Sequence, residues 1–253
     1  MTSGGRVLLL EDDVQIRRFV SMVLSQLDVA LVECAGVQQA VQALEQAPVD
    51  VVLCDLMLAG ESGFDLIEQI VSHDAWRSAR VIVFSAAVDG DDRARMEALG
   101  VWGHLSKPTP VAALMRCVSD ALAARPAPRA VGASAGRQED AAAAPRLPTP
   151  ADEAVAIARF FEGNAELFRA YRDSSRTQFR HDLGQGDQAC AEGDLAAMRR
   201  LAHSLKSVLG LLGGDALAGR FAALERLARD GQASDVRTQW ADLRAFLQLL
   251  AQP

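Results

Sequence analysis

Glu11, Asp12 and Asp13 close the apolar run "RVLLL", Asp55 closes "VDVVLC", Ser85 closes "RVIVF", and Lys107 follows "GHLS" and precedes Pro108. If these runs are parallel neighbours in a sheet, the polar residues meet at one edge. Carboxylates gathered there repel unless a cation joins them. Mg2+ suits such a place, because it takes one or two carboxylates and keeps positions for water and phosphate. A carboxylate can attack phosphorus to give an aspartyl phosphate. A lysine and a metal then supply the charge neutralisation that phosphoryl transfer needs.

A second set lies in "AHSLKSVLGLLGG", residues 202–214. At about 100° per residue, Leu195, Met198, Leu201, Ala202, Leu205, Val208, Leu209 and Leu212 fall in one arc of roughly 140°. His203 falls roughly 150° from the middle of that arc, which puts it on the solvent face of a predicted helix. Arg199, Arg200, Lys206 and Ser207 neighbour it at spacings of three and four residues. Guanidinium and ammonium groups bind phosphate oxygens, and a neutral imidazole is a nucleophile near pH 7. A solvated basic face with an incidental histidine would carry the same residues, so the rest of the chain decides between the two readings.

The elements that position these groups fall into two classes. Up to about residue 124, short β-rich runs alternate five times with helical patterns, from "RVLLLEDD" to "PVAALMRCVSDALAA". That alternation predicts an α/β domain with a doubly wound, five-stranded parallel sheet. In open parallel sheets the functional crevice lies beyond the carboxyl ends of the strands, where the acids, Ser85 and Lys107 stand. Residues 123–153 are rich in Ala, Pro and Gly, hold five of the chain's nine prolines, and lack hydrophobic periodicity, so 125–150 reads as a linker. Beyond it only helical patterns occur, near 152–161, 164–192, 194–212, 215–230 and 234–251. Gly193 and Asp194 mark a stop and a restart. Residues 151–253 therefore read as an all-α domain, a four-helix bundle with a short leading helix.

At 253 residues, half of them apolar, the chain can build two cores, and its net charge of −7 argues against nonspecific nucleic-acid binding. Cys34, Cys54, Cys117 and Cys190 show no metal-like spacing and read as reduced thiols. No apolar run has the roughly 18 residues of a membrane span, the start does not read as a signal peptide, and a cytoplasmic location is expected. No recognisable helix-turn-helix supports a DNA-binding regulator.

The strand-end constellation resembles the receiver domain of two-component response regulators, expected here over residues 1–124. "LLLEDD" is similar to the family's acidic pair, with Glu11 and Asp12 at the paired positions and Asp13 an extra acid. "CDLMLAGESGFDLI" is similar to its phosphorylation segment. The resemblance implies Asp55 as phospho-acceptor, and Asp12, Asp55 and the Met57 carbonyl as Mg2+ ligands, with Glu11 acting through water. It also implies Ser85 as the hydroxyl that bonds the phosphoryl group, Lys107 as its cationic partner, and a cis Lys107–Pro108 bond. Two positions depart from the family: Ala59 stands where proline is frequent, and His104 where an aromatic switch residue is usual.

"GDLAAMRRLAHSLKSVLGLLGG" resembles the active helix of histidine phosphotransfer (HPt) domains. His203, Leu205, Lys206, Gly210, Leu212 and Gly213 match its pattern, and Ser207 replaces a usual glycine. The combination implies a phosphorelay protein without an ATP site: Asp55 accepts a phosphoryl group, His203 is the phosphotransfer histidine, and Lys206 assists it. The implied partners are a sensor histidine kinase and the receiver and HPt domains of a relay. Two alternatives remain beside this reading. The helical domain could be a phosphorylation-controlled docking module with His203 unmodified, against which an exposed "HSLK" surface argues. The chain could also be the C-terminal part of a hybrid histidine kinase.

Overall fold

A computed structural model describes residues 4–86, 88–123 and 145–252. The chain divides into two compact units, each taken separately. Residues 125–144 of the expected linker lie outside the described residues, and Pro150, its expected last residue, already begins a helix.

The first unit alternates β1 (Gly5–Leu10), α1 (Val14–Leu24), β2 (Val29–Cys34), α2 (Val37–Gln46), β3 (Val51–Cys54), α3 (Gly63–Ser72), β4 (Arg80–Ser85), α4 (Gly90–Ala98), β5 (Gly103–Ser106) and α5 (Val111–Leu122). The strands form one parallel sheet in the order β2-β1-β3-β4-β5. Alternation splits the buried strand residues between its faces. Leu8 and Leu10 join the core formed with Val37 and Leu44 of α2, Phe64 and Ile67 of α3 and Met96 of α4. Val7 and Leu9, equally buried, point to the other face, which takes the adjoining helices α1 and α5. The strand order reverses between β1 and β3, and such a switch point leaves a crevice beyond the strand ends. All four cysteines are free thiols.

The second unit begins with α6 (Pro150–Phe160), whose start combines proline in the first turn with a capping box between Thr149 and Asp152. Four longer helices follow: α7 (Ala165–Glu192), α8 (Leu195–Leu211), α9 (Asp215–Arg229) and α10 (Ala233–Leu250). Each packs against the next in sequence and α10 returns to α7, giving the four-helix bundle expected from short loops. Gly193 closes α7 with φ 70°, and the Asp194 side chain caps α8 by accepting from the Ala197 N–H at 2.9 Å. The leading helix α6 packs on α8.

Candidate functional site

Three residues of the first unit sit one position beyond a strand, and the ladder hydrogen bonds continue to each of them. The Glu11 N–H donates to the Cys34 carbonyl at 3.0 Å, the Asp55 N–H to Leu10 at 2.9 Å, and the Lys107 N–H to Ser85 at 3.0 Å. The sheet therefore sets where these side chains start. Lys107 Nζ donates to Glu11 Oε2 and, at 2.7 Å, to Asp55 Oδ2. All three groups are buried. The same ammonium lies 5.0 Å from the centre of the Phe84 ring. One carboxylate oxygen each from Glu11, Asp12 and Asp55 lie within 4.8 Å of one another.

Crowding and burial show in the ionisation of this pocket. Burial, then the Asp55 and Asp13 charges, push the Glu11 carboxyl well above its ordinary range although Lys107 opposes them. Burial and the Asp55 charge likewise raise Asp12. Burial works against the Lys107 ammonium, but Asp55 and Glu11 outweigh it and raise its pKa. The donor set is all oxygen, rich in negative charge and partly open at half-buried Asp12, which is the chemistry a Mg2+ ion matches.

The remaining expected residues fall around this pocket. Met57 enters through its N–H, which donates to Asp55 Oδ1 at 3.1 Å. Ser85 is buried at the end of β4. The Lys107–Pro108 bond is cis. Asp13 has a different task from a third pocket acid: its carboxylate accepts from the N–H groups of Gln15 and Ile16 at 2.7 and 2.8 Å and caps α1. The loop with Ala59 is tied elsewhere, since Glu61 Oε2 accepts from Val37 N–H at 2.9 Å at the start of α2. Gly63 is where the loop closes onto the strand end, and a Cβ there would overlap the Asp55 carbonyl. His104 is half-buried on β5, and burial followed by the Arg93 charge lowers its pKa.

In the second unit the structure corrects the expected display of His203. Its residue exposure is 7%, and Ser207, expected to leave open space beside it, is 1% exposed with Oγ donating to the His203 carbonyl at 3.4 Å. The "HSLK" segment is therefore not an exposed surface: Leu205 is fully buried and Ser204 and Lys206 are half-buried. Angular position on one helix measures distance from that helix's own apolar arc. It does not count how many neighbours cover the helix, and α8 is packed by α6, α7 and α9.

A partner absent from the sequence reading fixes this histidine. Glu225 on α9 places Oε1 at 2.8 Å from His203 Nδ1 and Oε2 at 2.8 Å from Lys206 Nζ. Burial would raise the Glu225 carboxyl, but His203 and Lys206 outweigh it and hold its pKa at about 2. An ionised carboxylate only accepts, so Nδ1 carries the proton and a neutral ring has its lone pair on Nε2. That nitrogen is buried without a hydrogen-bond partner. A Glu twenty-two residues downstream has no local signature; only the α8–α9 packing brings it here. His73 and His181 are exposed.

Residues 7–119 match the family described as Response regulator receiver domain, and residues 166–253 match the Hpt domain. The phosphate regulon transcriptional regulatory protein PhoB of Escherichia coli is 32% identical over 103 residues, 41% of this chain and 45% of that protein. The chain thus spans under half the length of that relative. The virulence sensor protein BvgS of Bordetella pertussis is 26% identical over 235 residues, 90% of this chain and 18% of that protein. Among solved structures, the Vibrio cholerae chemotaxis protein CheY4 superposes with a TM-score of 0.45 at 20% identity, covering 47% of this chain and 99% of that one. Residues 7–119 belong to the response regulator receiver family and residues 166–253 to the Hpt family, so the chain joins a receiver domain to a phosphotransfer domain.

Proposed function

We propose that this chain carries phosphoryl groups in a two-component phosphorelay, with Asp55 and His203 as the two carriers. The observation that carries the reading is the buried contact of Lys107 with Glu11 and Asp55, with the Asp12 carboxylate beside it. Asp55 attacks the phosphorus of a phosphohistidine, the P–N bond breaks with its electron pair leaving on the imidazole, and an aspartyl phosphate forms. Bound at Asp12, Asp55 and the Met57 carbonyl, and through water at Glu11, Mg2+ would offset charge on the phosphoryl oxygens. Lys107 leaves Glu11 or shares it to face the same oxygens, and Ser85 supplies a hydroxyl.

In the Hpt domain, the Nε2 lone pair attacks an aspartyl phosphate and the P–O bond breaks to regenerate the carboxylate. The phosphorylated ring with Nδ1 protonated is cationic, and Glu225 faces that charge. Lys206 stands one turn away to offset the incoming phosphoryl group. Because Nε2 is covered, the side chains over it must move aside first. The partners this chemistry fits are a sensor histidine kinase and the receiver and Hpt domains of a relay, with no direct nucleic-acid contact and a cytoplasmic location. Among the described residues no helix is long and apolar enough to cross a membrane.

The test is labelling by acetyl phosphate with Mg2+, followed by separation of acid-labile from base-labile phosphate. Asp55→Asn should abolish receiver labelling, and His203→Gln should abolish transfer to the Hpt domain while keeping the fold. Lys206→Ala should slow that transfer without stopping it. Undiminished label on the Asp55→Asn and His203→Gln chains would remove both assignments.

A further inference from the structure

The acidic pocket is held from behind by a side chain outside the phosphoryl chemistry. Arg17, half-buried in the first turn of α1, donates through Nη1 to the Glu11 carbonyl at 2.6 Å and to the Asp12 carbonyl at 3.2 Å. Its Nε lies 3.7 Å from Glu33 Oε2 on β2. The Ser21 hydroxyl in turn donates to Glu33 Oε1 at 2.9 Å. The guanidinium is therefore oriented from two sides, by α1 and by β2.

The two carbonyls it grips belong to the peptide planes on either side of the Asp12 Cα, so both planes are fixed together with the direction of the Asp12 side chain. A restraint is needed at that point. The Glu11, Asp12 and Asp55 oxygens are crowded, and a free strand end would relax by turning the Asp12 carboxylate outward. Charge-assisted hydrogen bonds to backbone carbonyls resist that rotation.

We propose that Arg17 is the positioning residue of the acidic pocket, holding the backbone on both sides of Asp12 so that the carboxylates are presented together to a divalent cation. The inference rests on the reading of this pocket as a Mg2+ site. It has a sign that a charge effect lacks. Arg17 is a positive charge beside the pocket, so by charge alone its removal tightens Mg2+ binding. As a positioning residue, its removal weakens binding.

The experiment is calorimetric titration of the full, unphosphorylated chain with Mg2+, for the unaltered protein, Arg17→Ala and Arg18→Ala. Arg18 is the exposed neighbour, and its loss removes the same charge without the two carbonyl contacts. Outer partners of metal sites are typically worth 10- to 100-fold in affinity. Arg17→Ala should bind roughly 10-fold more weakly than the unaltered chain, with Arg18→Ala equal or tighter. Saturating Mg2+ should return acetyl phosphate labelling of Arg17→Ala to near the unaltered rate. Arg17→Lys, which keeps the charge and loses the nitrogen facing Glu33, should fall between them, and carries the comparison if Arg17→Ala does not fold. Equal or tighter binding by the Arg17 variants overturns the inference alone. Absence of Mg2+ binding by the unaltered chain overturns it together with the pocket reading.

Discussion

With His203 as the phosphoryl carrier proposed above, Glu225 decides which of its nitrogens attacks. Glu225→Gln should keep the shape of the contact and release the tautomer, because an amide can donate to Nδ1 as well as accept from it. Phosphoryl transfer to His203 should then slow by a factor between about 10 and 10⁴, the upper figure being what a wrong histidine tautomer costs a serine protease. Nitrogen chemical shifts of the imidazole, measured beside the transfer rate, check whether the tautomer has changed. The same carboxylate makes the helical domain sensitive to acid. Its pKa is held at about 2 in the folded chain against an ordinary 4.5, so its contribution is full above pH 4.5 and is lost as pH falls towards 2. The loss is at most roughly 3 kcal/mol before solvent screening, read as a drop in urea midpoint that should be smaller in Glu225→Gln, where Asp187, held low by Arg244, still responds to acid. At this scale the receiver pocket was legible in the sequence, since strand ends converge wherever the strands are parallel neighbours. Glu225 and Arg17 were not, because each acts through a contact made only after folding. The capping role of Asp13 had a local signal, an aspartate directly before a helix.

The element boundaries are legible in the sequence, because Gly, Pro and capping residues punctuate many of the transitions. The environment of α8 is not. Its sequence states where its own apolar arc lies, whereas burial of His203 and Ser207 depends on the helices laid against it. The packing of α10 on α7 shows the same dependence. Gly186 leaves room for the Trp240 ring, and a Cβ there would overlap it. Trp240 Nε1 donates to Asp187 at 3.0 Å, and Arg244 Nε donates to both oxygens of that carboxylate. Gly186→Ala should therefore displace the indole and destabilise the bundle by about 1–3 kcal/mol, the usual cost of overpacking. Tryptophan fluorescence during urea unfolding checks it. Acetyl phosphate labelling of Asp55 should stay unchanged, because the strain lies in the other unit.

For the whole chain, two compact units predict two transitions in a calorimetric scan. Mg2+ at a hundred times its Kd adds about 2.7 kcal/mol to whatever fold binds it. One transition should rise with Mg2+ and the other stay, and loss of the rise in Asp12→Ala would assign it to the acidic pocket. Joint movement of both transitions would contradict independent folding. The covered Nε2 of His203 has a consequence in time. If the side chains that cover Nε2 close again over the phosphorylated ring, they keep water from the phosphorus and so protect the P–N bond. On the proposed role of His203, the loaded histidine would then have a long shelf life, emptied by a docking partner that lifts the cover rather than by the solvent. Its half-life in the folded chain should exceed that in the urea-unfolded chain at the same pH, and the difference measures how well the bundle keeps a phosphoryl group waiting.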